Sequence, residues 1–533
     1  MANVDVVIPR PVASPLSGHK SSPWFNVLAG VVVIAGIIYA GYHLADDLSV
    51  VRYTRAYPFI LLGIALFIAL GFEFVNGFHD TANAVATVIY THSMAPNLAV
   101  VWSGTCNFLG VLFSSGVVAY TIVSLLPVEL ILQVGSGAGF AMVFALLIAA
   151  ILWNLGTWYF GLPASSSHTL IGSIIGVGLM NQLMAGSSSG TSGVDWSQAA
   201  KIGESLLFSP LIGFSAAALL MLIAKALIPV PALFQEPKGS KPPPLLIRAL
   251  LVLTCTGVSF AHGSNDGQKG MGLIMLILIG TVPTAFALNR TMHEADVSKF
   301  VAVSAQAQAA LGRYGSGDAP ADPHGTAIEI VRTRSISPQT VPALAALSGS
   351  IAEEVNIYHS LAKVPADSMV NIRNNMYLVS EGLRFLAKSK TIAVSPADRQ
   401  ILTEYKKQLD NSTKFIPTWV KVAVAIALGL GTMIGWKRIV VTVGERIGKT
   451  HLTYAQGASA ELVAMVTIGA ADMYGLPVST THVLSSGVAG TMVANRSGLQ
   501  WATVRNLLMA WVLTLPVSIA LAGSLYWLLR ALL

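Results

Sequence analysis

Charge is scarce in this sequence. Asp, Glu, Lys and Arg make up 11% of its 533 residues, against 54% hydrophobic. Soluble domains carry about 25% charged residues, so a water-soluble globule is excluded. Cysteine is nearly absent. Cys106 and Cys255 both sit in apolar stretches, which suits packing residues and leaves no disulfide framework or thiolate cluster. No Walker-type nucleotide loop occurs, so ATP does not drive this chain. The Ser165–His168 pairing has no carboxylate third member, which argues against an enzyme. Short alternating strands of the barrel kind are missing. What is present is helical: apolar stretches near 20 residues recur, the length that a bilayer-spanning helix requires.

These observations predict an all-α polytopic membrane protein with about 10–12 transmembrane helices. The net charge of +7 reads as basic loops facing the cytoplasm rather than a nucleic-acid surface. Such loops lie at Lys225 to Arg248 and at Lys437 to Lys449. The polar first 22 residues precede Trp24 to Leu44, too long for a signal-peptide core and expected as a retained helix. Residues 290–414 hold 14 Lys/Arg and 12 Asp/Glu, and are expected to form a soluble helical insert. The chain therefore divides into a tail and extra helix (1–56), a first membrane repeat with the start of a second (57–289), the insert, and the rest of the second repeat (415–533). Some apolar segments are short, among them 83–94, 245–263 and 477–494. Short segments flanking Gly-rich polar motifs indicate broken or re-entrant helices, which are tolerated at depth only where they line protein or a watery cavity.

Two acidic loops stand out in this apolar sequence. One spans Gly71 to Asn83 and the other Gly257 to Lys269, with Gly71/Gly257, Phe74/Phe260, Gly77/Gly263 and Asp80/Asp266 in register. A carboxylate in a membrane is costly and is seldom kept without a function. A second motif is also duplicated: Gly161-Leu-Pro-Ala-Ser-Ser-Ser-His168 matches Gly475-Leu-Pro-Val-Ser-Thr-Thr-His482. The motif copies are separated by 186 and 314 residues. The excess is close to the length of the insert, so the two halves are commensurate without it. Repeats of this kind commonly pack as inverted halves about a pseudo-two-fold axis, with a site between them.

The second motif has a physical reading. Proline suits the first helical turn, and hydroxyl side chains suit helix caps. Helix starts present free N–H groups that favour an anion. Ser165, Ser166, Ser167, Ser479, Thr480 and Thr481 would supply many donors without fixed charge, which lets an oxyanion bind and leave. Simple helix capping is the plainer alternative.

The stretches 77–87, 161–172, 259–270 and 475–491 resemble those of the PiT family of inorganic phosphate transporters. Tyr90-Thr91, Trp153 to Trp158 and Gly431 to Trp436 are similar to its bacterial low-affinity, proton-coupled branch. The resemblance covers nearly all of the chain beyond residue 50, apart from parts of the insert. It implies a multi-pass secondary transporter of the bacterial cytoplasmic (inner) membrane. Phosphate would be taken up, in that branch often as a neutral complex with a divalent metal such as Mg, by proton symport and alternating access. No cofactor is implied. Arsenate, nearly isosteric, is expected as a second substrate; lipid surrounds the chain, nucleic acid is not a partner, and a homo-oligomer is allowed.

The resemblance places Asp80 and Asp266 at the central site. A carboxylate there can hold a cation or exchange a proton, and a bridging cation or proton would stop it repelling phosphate. Asn83 in the first copy is matched by Lys269 in the second, whereas the sodium-coupled branch typically has Asn in both. An ammonium cannot ligate sodium, so Lys269 is expected to pair with Asp266 and favour proton coupling. Reaching to the interface is the alternative for this lysine. His79, His168, His262 and His482 flank the motifs as candidate proton relays or structural residues. Asn76 and Asn265 are candidate backbone-satisfying or cation-ligating amides; Glu73 is expected to line the path or pair with a basic residue, and Glu461 and Asp472 lie in another apolar segment. The rival readings on the same scaffold are a sodium-coupled phosphate carrier and a sulfate permease.

Overall fold

The structure, a computed structural model, describes residues 23–49, 57–80, 82–132, 136–185, 193–237, 239, 241–290, 294–315, 317–389 and 391–533. The polar residues 1–22 lie outside that range. Every named element is a helix. Hydrocarbon cannot satisfy a backbone N–H or C=O, and a helix satisfies both internally.

The first half contains α1 (Pro23–Leu48), α2 (Tyr57–Asp80), α3 (Ala82–Tyr90), α4 (Pro96–Phe113), α5 (Val117–Val123), α6 (Val128–Leu132), α7 (Gly137–Tyr159), α8 (Ser166–Ala185) and α9 (Trp196–Leu227). Then come α10 (Leu245–Thr281) and the short α11 (Pro283–Phe286). The insert is α12 (Glu294–Gly312), α13 (Pro323–Thr333), α14 (Thr340–Tyr358), α15 (Ala366–Lys388) and α16 (Pro396–Thr413). The chain closes with α17 (Thr418–Met433), α18 (Lys437–Val441), α19 (Tyr454–Met473), α20 (Thr480–Asn495) and α21 (Trp501–Leu532).

Among the described residues, eight helices are long and apolar enough to cross a membrane, or nine if the bent pair α16 and α17 is one span. Of that pair α16 carries six charged residues and belongs to the insert. Large apolar side chains such as Ile37, Phe67, Leu211 and Val512 point outward, a surface that lipid covers.

The two halves interlock by exchange. α2 packs on α17 and α10 on α4; α8 packs on α21 and α20 on α9. Each contact in one half has its counterpart in the other. α9 and α21 are each 32 residues long, begin at Trp and carry an internal proline, Pro210 and Pro516. The register-matched glycines Gly77 and Gly263 sit at these crossings. A Cβ on Gly77 would meet Thr432 N at 2.8 Å, and one on Gly263 would meet Asn107 Cα at 2.7 Å. Small residues there let membrane helices approach backbone to backbone.

One segment differs from the sequence expectation. The apolar runs 245–263 and 267–289 are a single unbroken helix, α10, through Asp266. Gly263 and Gly267 are accommodated because α4 closes over them: the Cβ positions of both face Asn107 or Val111.

The ends of the bundle differ in charge. The two basic loops share one end, where Asn495 donates to Phe234 O (3.2 Å) and Gln500 to Gly448 O (2.6 Å). The insert packs at the other end. There Arg384 of α15 reaches Asp195, the cap of α9, at 3.2 Å. The insert has its own core, with Phe300, Leu344, Ile372 and Tyr405 buried together.

Candidate functional site

Four backbone features converge at the middle of the bundle: the end of α2, the middle of α10, and the starts of α8 and α20. Both starts follow a Gly-Leu-Pro turn whose glycine, Gly161 or Gly475, has positive φ. Such a backbone favours glycine. The two starts face each other, with the His168 and His482 rings 4.6 Å apart and His482 stacked on Trp511 at 4.0 Å.

The six hydroxyls divide by role. Ser165 and Ser479 cap their own helices, accepting from His168 N–H (3.2 Å) and His482 N–H (3.1 Å). Ser166 Oγ donates to Asp80 Oδ2 at 2.6 Å and lies equally close to Asn76 Oδ1. Thr481 of the other half donates to Asp80 Oδ1. Ser167 donates to Val478 O (2.7 Å), which ties the first helix start to the second. Thr480 is buried beside them.

Asp80 and Asp266 are 2% and 0% exposed. His262 lies between them, with Nε2 3.8 Å from Asp80 Oδ2 and 3.7 Å from Asp266 Oδ2. Its Nδ1 is held by Asn107 Oδ1 at 3.0 Å. One ligand atom from each of Asp80, His262 and Asp266 falls within 4.8 Å of the others, a spacing that suits one small cation. Oxygen donors with an imidazole suit several divalent ions. His79 reaches Asp80 Oδ1 (3.3 Å) and Thr157 Oγ1 (3.0 Å).

Lys269 is fully buried and does not reach to the interface. Its Nζ lies 2.6 Å from Asp266 Oδ1 and 2.5 Å from Ser167 Oγ. Asn265 holds the turn before α20, donating to Leu476 O (3.1 Å) and accepting from Val478 N–H (3.4 Å). The side chain of Asn83 lies outside the described residues.

The remaining acids are placed elsewhere. Glu73 packs on the backbone of Gly270, close to the centre. Glu461 accepts from Thr254 (2.5 Å), and Asp472 from Ser264 and Gln268 (2.6 Å each). All three of these donors are on α10. The bridging position of His262 was not singled out from sequence. Its signal is the four-residue spacing to Asp266, which places both on one helix face. Splitting α10 at this point hides that spacing.

Fold and centre define a multi-pass helical membrane protein of two interlocked halves, with a buried polar site between them. The phosphate transporter family model matches residues 76–522, and the chain belongs to that family, as a transporter rather than an enzyme. It is 45% identical over 488 residues to the low-affinity inorganic phosphate transporter PitA of Escherichia coli (strain K12), covering 88% of this chain and 96% of that one. It is 43% identical to PitB of the same strain, over 88% and 97% of the two chains. A probable low-affinity inorganic phosphate transporter of Bacillus subtilis (strain 168) is 29% identical, over 88% and 98%.

Proposed function

We propose that this chain takes up inorganic phosphate across a bacterial cytoplasmic membrane by proton symport, with alternating access of a centre formed by both halves. The observation that carries this reading is the Asp80–His262–Asp266 cluster, buried beneath two hydroxyl-bearing helix starts. Its cationic partner is a proton or the divalent metal of a neutral metal–phosphate complex. Either lets phosphate approach the carboxylates without net repulsion. The helix starts of α8 and α20 and the hydroxyls of Ser166, Ser167, Thr480 and Thr481 then supply donors to the phosphate oxygens. Ser165 and Ser479 keep those starts in shape. Phosphate, unlike sulfate, carries a proton near neutral pH and can donate to Asp80 or Asp266, which favours it over a sulfate permease.

Lys269 supports protons over sodium as the coupling ion. Its ammonium already neutralises Asp266, so a second-half sodium position is filled by a fixed cation. His79, hydrogen-bonded to Asp80, and His262 are the relay candidates. Arsenate, sharing the geometry and protonation of phosphate, is carried as well.

Labelled uptake into proteoliposomes tests this, with sodium, the pH gradient and Mg²⁺ varied separately. Uptake driven by the pH gradient without sodium is expected. Sulfate uptake with no phosphate uptake under any gradient overturns the assignment.

A further inference from the structure

The insert and the membrane helices enclose a cleft of about 460 Å³ between α5, α15, α16 and the start of α17. A smaller recess continues from it, sharing Tyr120, Ser124, Glu381 and Lys414 and ending on Arg373. The recess also touches Gly272 and Leu276 of α10. Leu276 is ten residues beyond Asp266, about 15 Å along the helix, so this is not the central site.

Arg373 is the anomaly. It is 8% exposed, and its Nε has no hydrogen-bond partner. Its Nη1 donates to Asn374 Oδ1 (3.1 Å), and the guanidinium lies 5.3 Å from the Tyr377 ring centroid. Among the described residues no carboxylate lies within ion-pair distance of it. A buried guanidinium without a counter-charge is costly, and a rigid donor fork of this kind matches an oxyanion.

The other cations of the cleft are mostly spent. Lys406 and Lys414 pair with Asp410 at 2.6 and 2.8 Å. Burial pushes the Asp410 carboxyl up, but Lys414 and Lys406 outweigh it and hold it below the usual carboxylate range, so it stays charged. Arg384 pairs with Glu381 (2.6 Å) and Asp195 (3.2 Å). Lys421, however, meets the carbonyl of Ser114 at 2.8 Å and no carboxylate among the described residues. Five cations thus line the cleft and recess against Glu381 and Asp410, with Arg373 and Lys421 left without carboxylates.

We propose that this junction is a second oxyanion site, in which Arg373, at the end of the recess, binds a phosphate-class anion, with Lys421 lining the adjoining cleft. Free phosphate and an anionic lipid headgroup share that chemistry. The site stands on its own geometry and does not depend on the transport reading.

The test uses the full chain carrying Asp80→Asn, chosen to remove the Asp80 carboxylate from the central cluster. Binding of inorganic phosphate is measured by equilibrium dialysis in detergent free of anionic lipid. Retained binding is expected, with Arg373→Gln weakening it by roughly tenfold or more, as loss of a charged hydrogen bond does. Hydrogen exchange across 366–388 should show phosphate protection that Arg373→Gln removes. If protection instead appears only in phosphatidylglycerol nanodiscs, and still requires Arg373, the anion is the headgroup. If Arg373→Gln does not fold, Lys421→Gln reads the same loss. Absence of Arg373- or Lys421-dependent binding in both detergent and nanodiscs overturns the proposal. Failure of the central assignment is read separately, as phosphate uptake that survives Asp80→Asn.

Discussion

Lys269 Nζ lies 2.6 Å from Asp266 Oδ1, one helical turn along α10, with neither side chain reaching water. The pair is the main asymmetry between two otherwise matched halves. Asp80 is satisfied by hydroxyls from α8 and α20, while Asp266 is satisfied by an ammonium on its own helix. Among the described residues, no lysine or arginine pairs with the first carboxylate.

Removing the ammonium leaves a buried carboxylate unpaired. Lys269→Met should lose about 3–5 kcal/mol of stability, seen as a lower midpoint in thermal unfolding of the detergent-solubilised protein. Lys269→Asn restores an amide where a cation ligand can sit. Sodium should then stimulate uptake. Wholly sodium-independent, pH-driven uptake in that variant would count against the role given to this lysine.

Ser166 and Thr481 converge on Asp80 from the two halves. Ser166→Ala and Thr481→Ala should each weaken phosphate handling by about 1.5–3 kcal/mol, the usual worth of a hydrogen bond to a charged group. Because both donors share one carboxylate, the double variant should depart from additivity. KM and maximal uptake rate across the cycle measure this. Strict additivity would mean that the two hydroxyls act independently.

Gly77→Ala and Gly263→Ala should each cost about 1–3 kcal/mol by pushing paired helices apart. The obstructing atoms are backbone and cannot rotate away. Gly71 has nothing within 4 Å of its Cβ position, so Gly71→Ala is the matched control and should be nearly neutral. Equal melting temperatures for all three variants would refute the close-crossing account.

The basic loops and the insert occupy opposite ends of the bundle, and short basic loops face the cytoplasm. The insert is therefore expected on the outer face. The native Cys106 and Cys255 are both buried, so introduced cysteines can be labelled over a low background. Ala319→Cys in the insert should react with an impermeant maleimide in intact spheroplasts. Gln235→Cys should react only after permeabilisation. The reverse pattern would invert the topology.

Much of this protein is legible in its sequence. Scarcity of charge predicts the membrane class, and the cluster of charge at 290–414 predicts the insert, because both follow from local composition. The duplicated motifs predict paired halves, since the spacing of Asp80 with Asp266 and of Ser165 with Ser479 is carried along the chain. The continuity of α10 was less legible. Gly263, Gly267 and Gly270 weaken a helix in isolation, and only packing by α4 and α2 overrides that weakness.

The sequence alone determined which residues are costly to bury: the two aspartates, the lysine and the hydroxyl clusters. Tertiary structure decided how that cost is met. Asp80 takes its donors from helices 86 and 401 residues away in sequence, and Arg373 reaches its recess only because the insert folds back onto α5 and α10. Partners that distant leave no local spacing to read, because desolvation is set by each residue but its compensation depends on which helices meet.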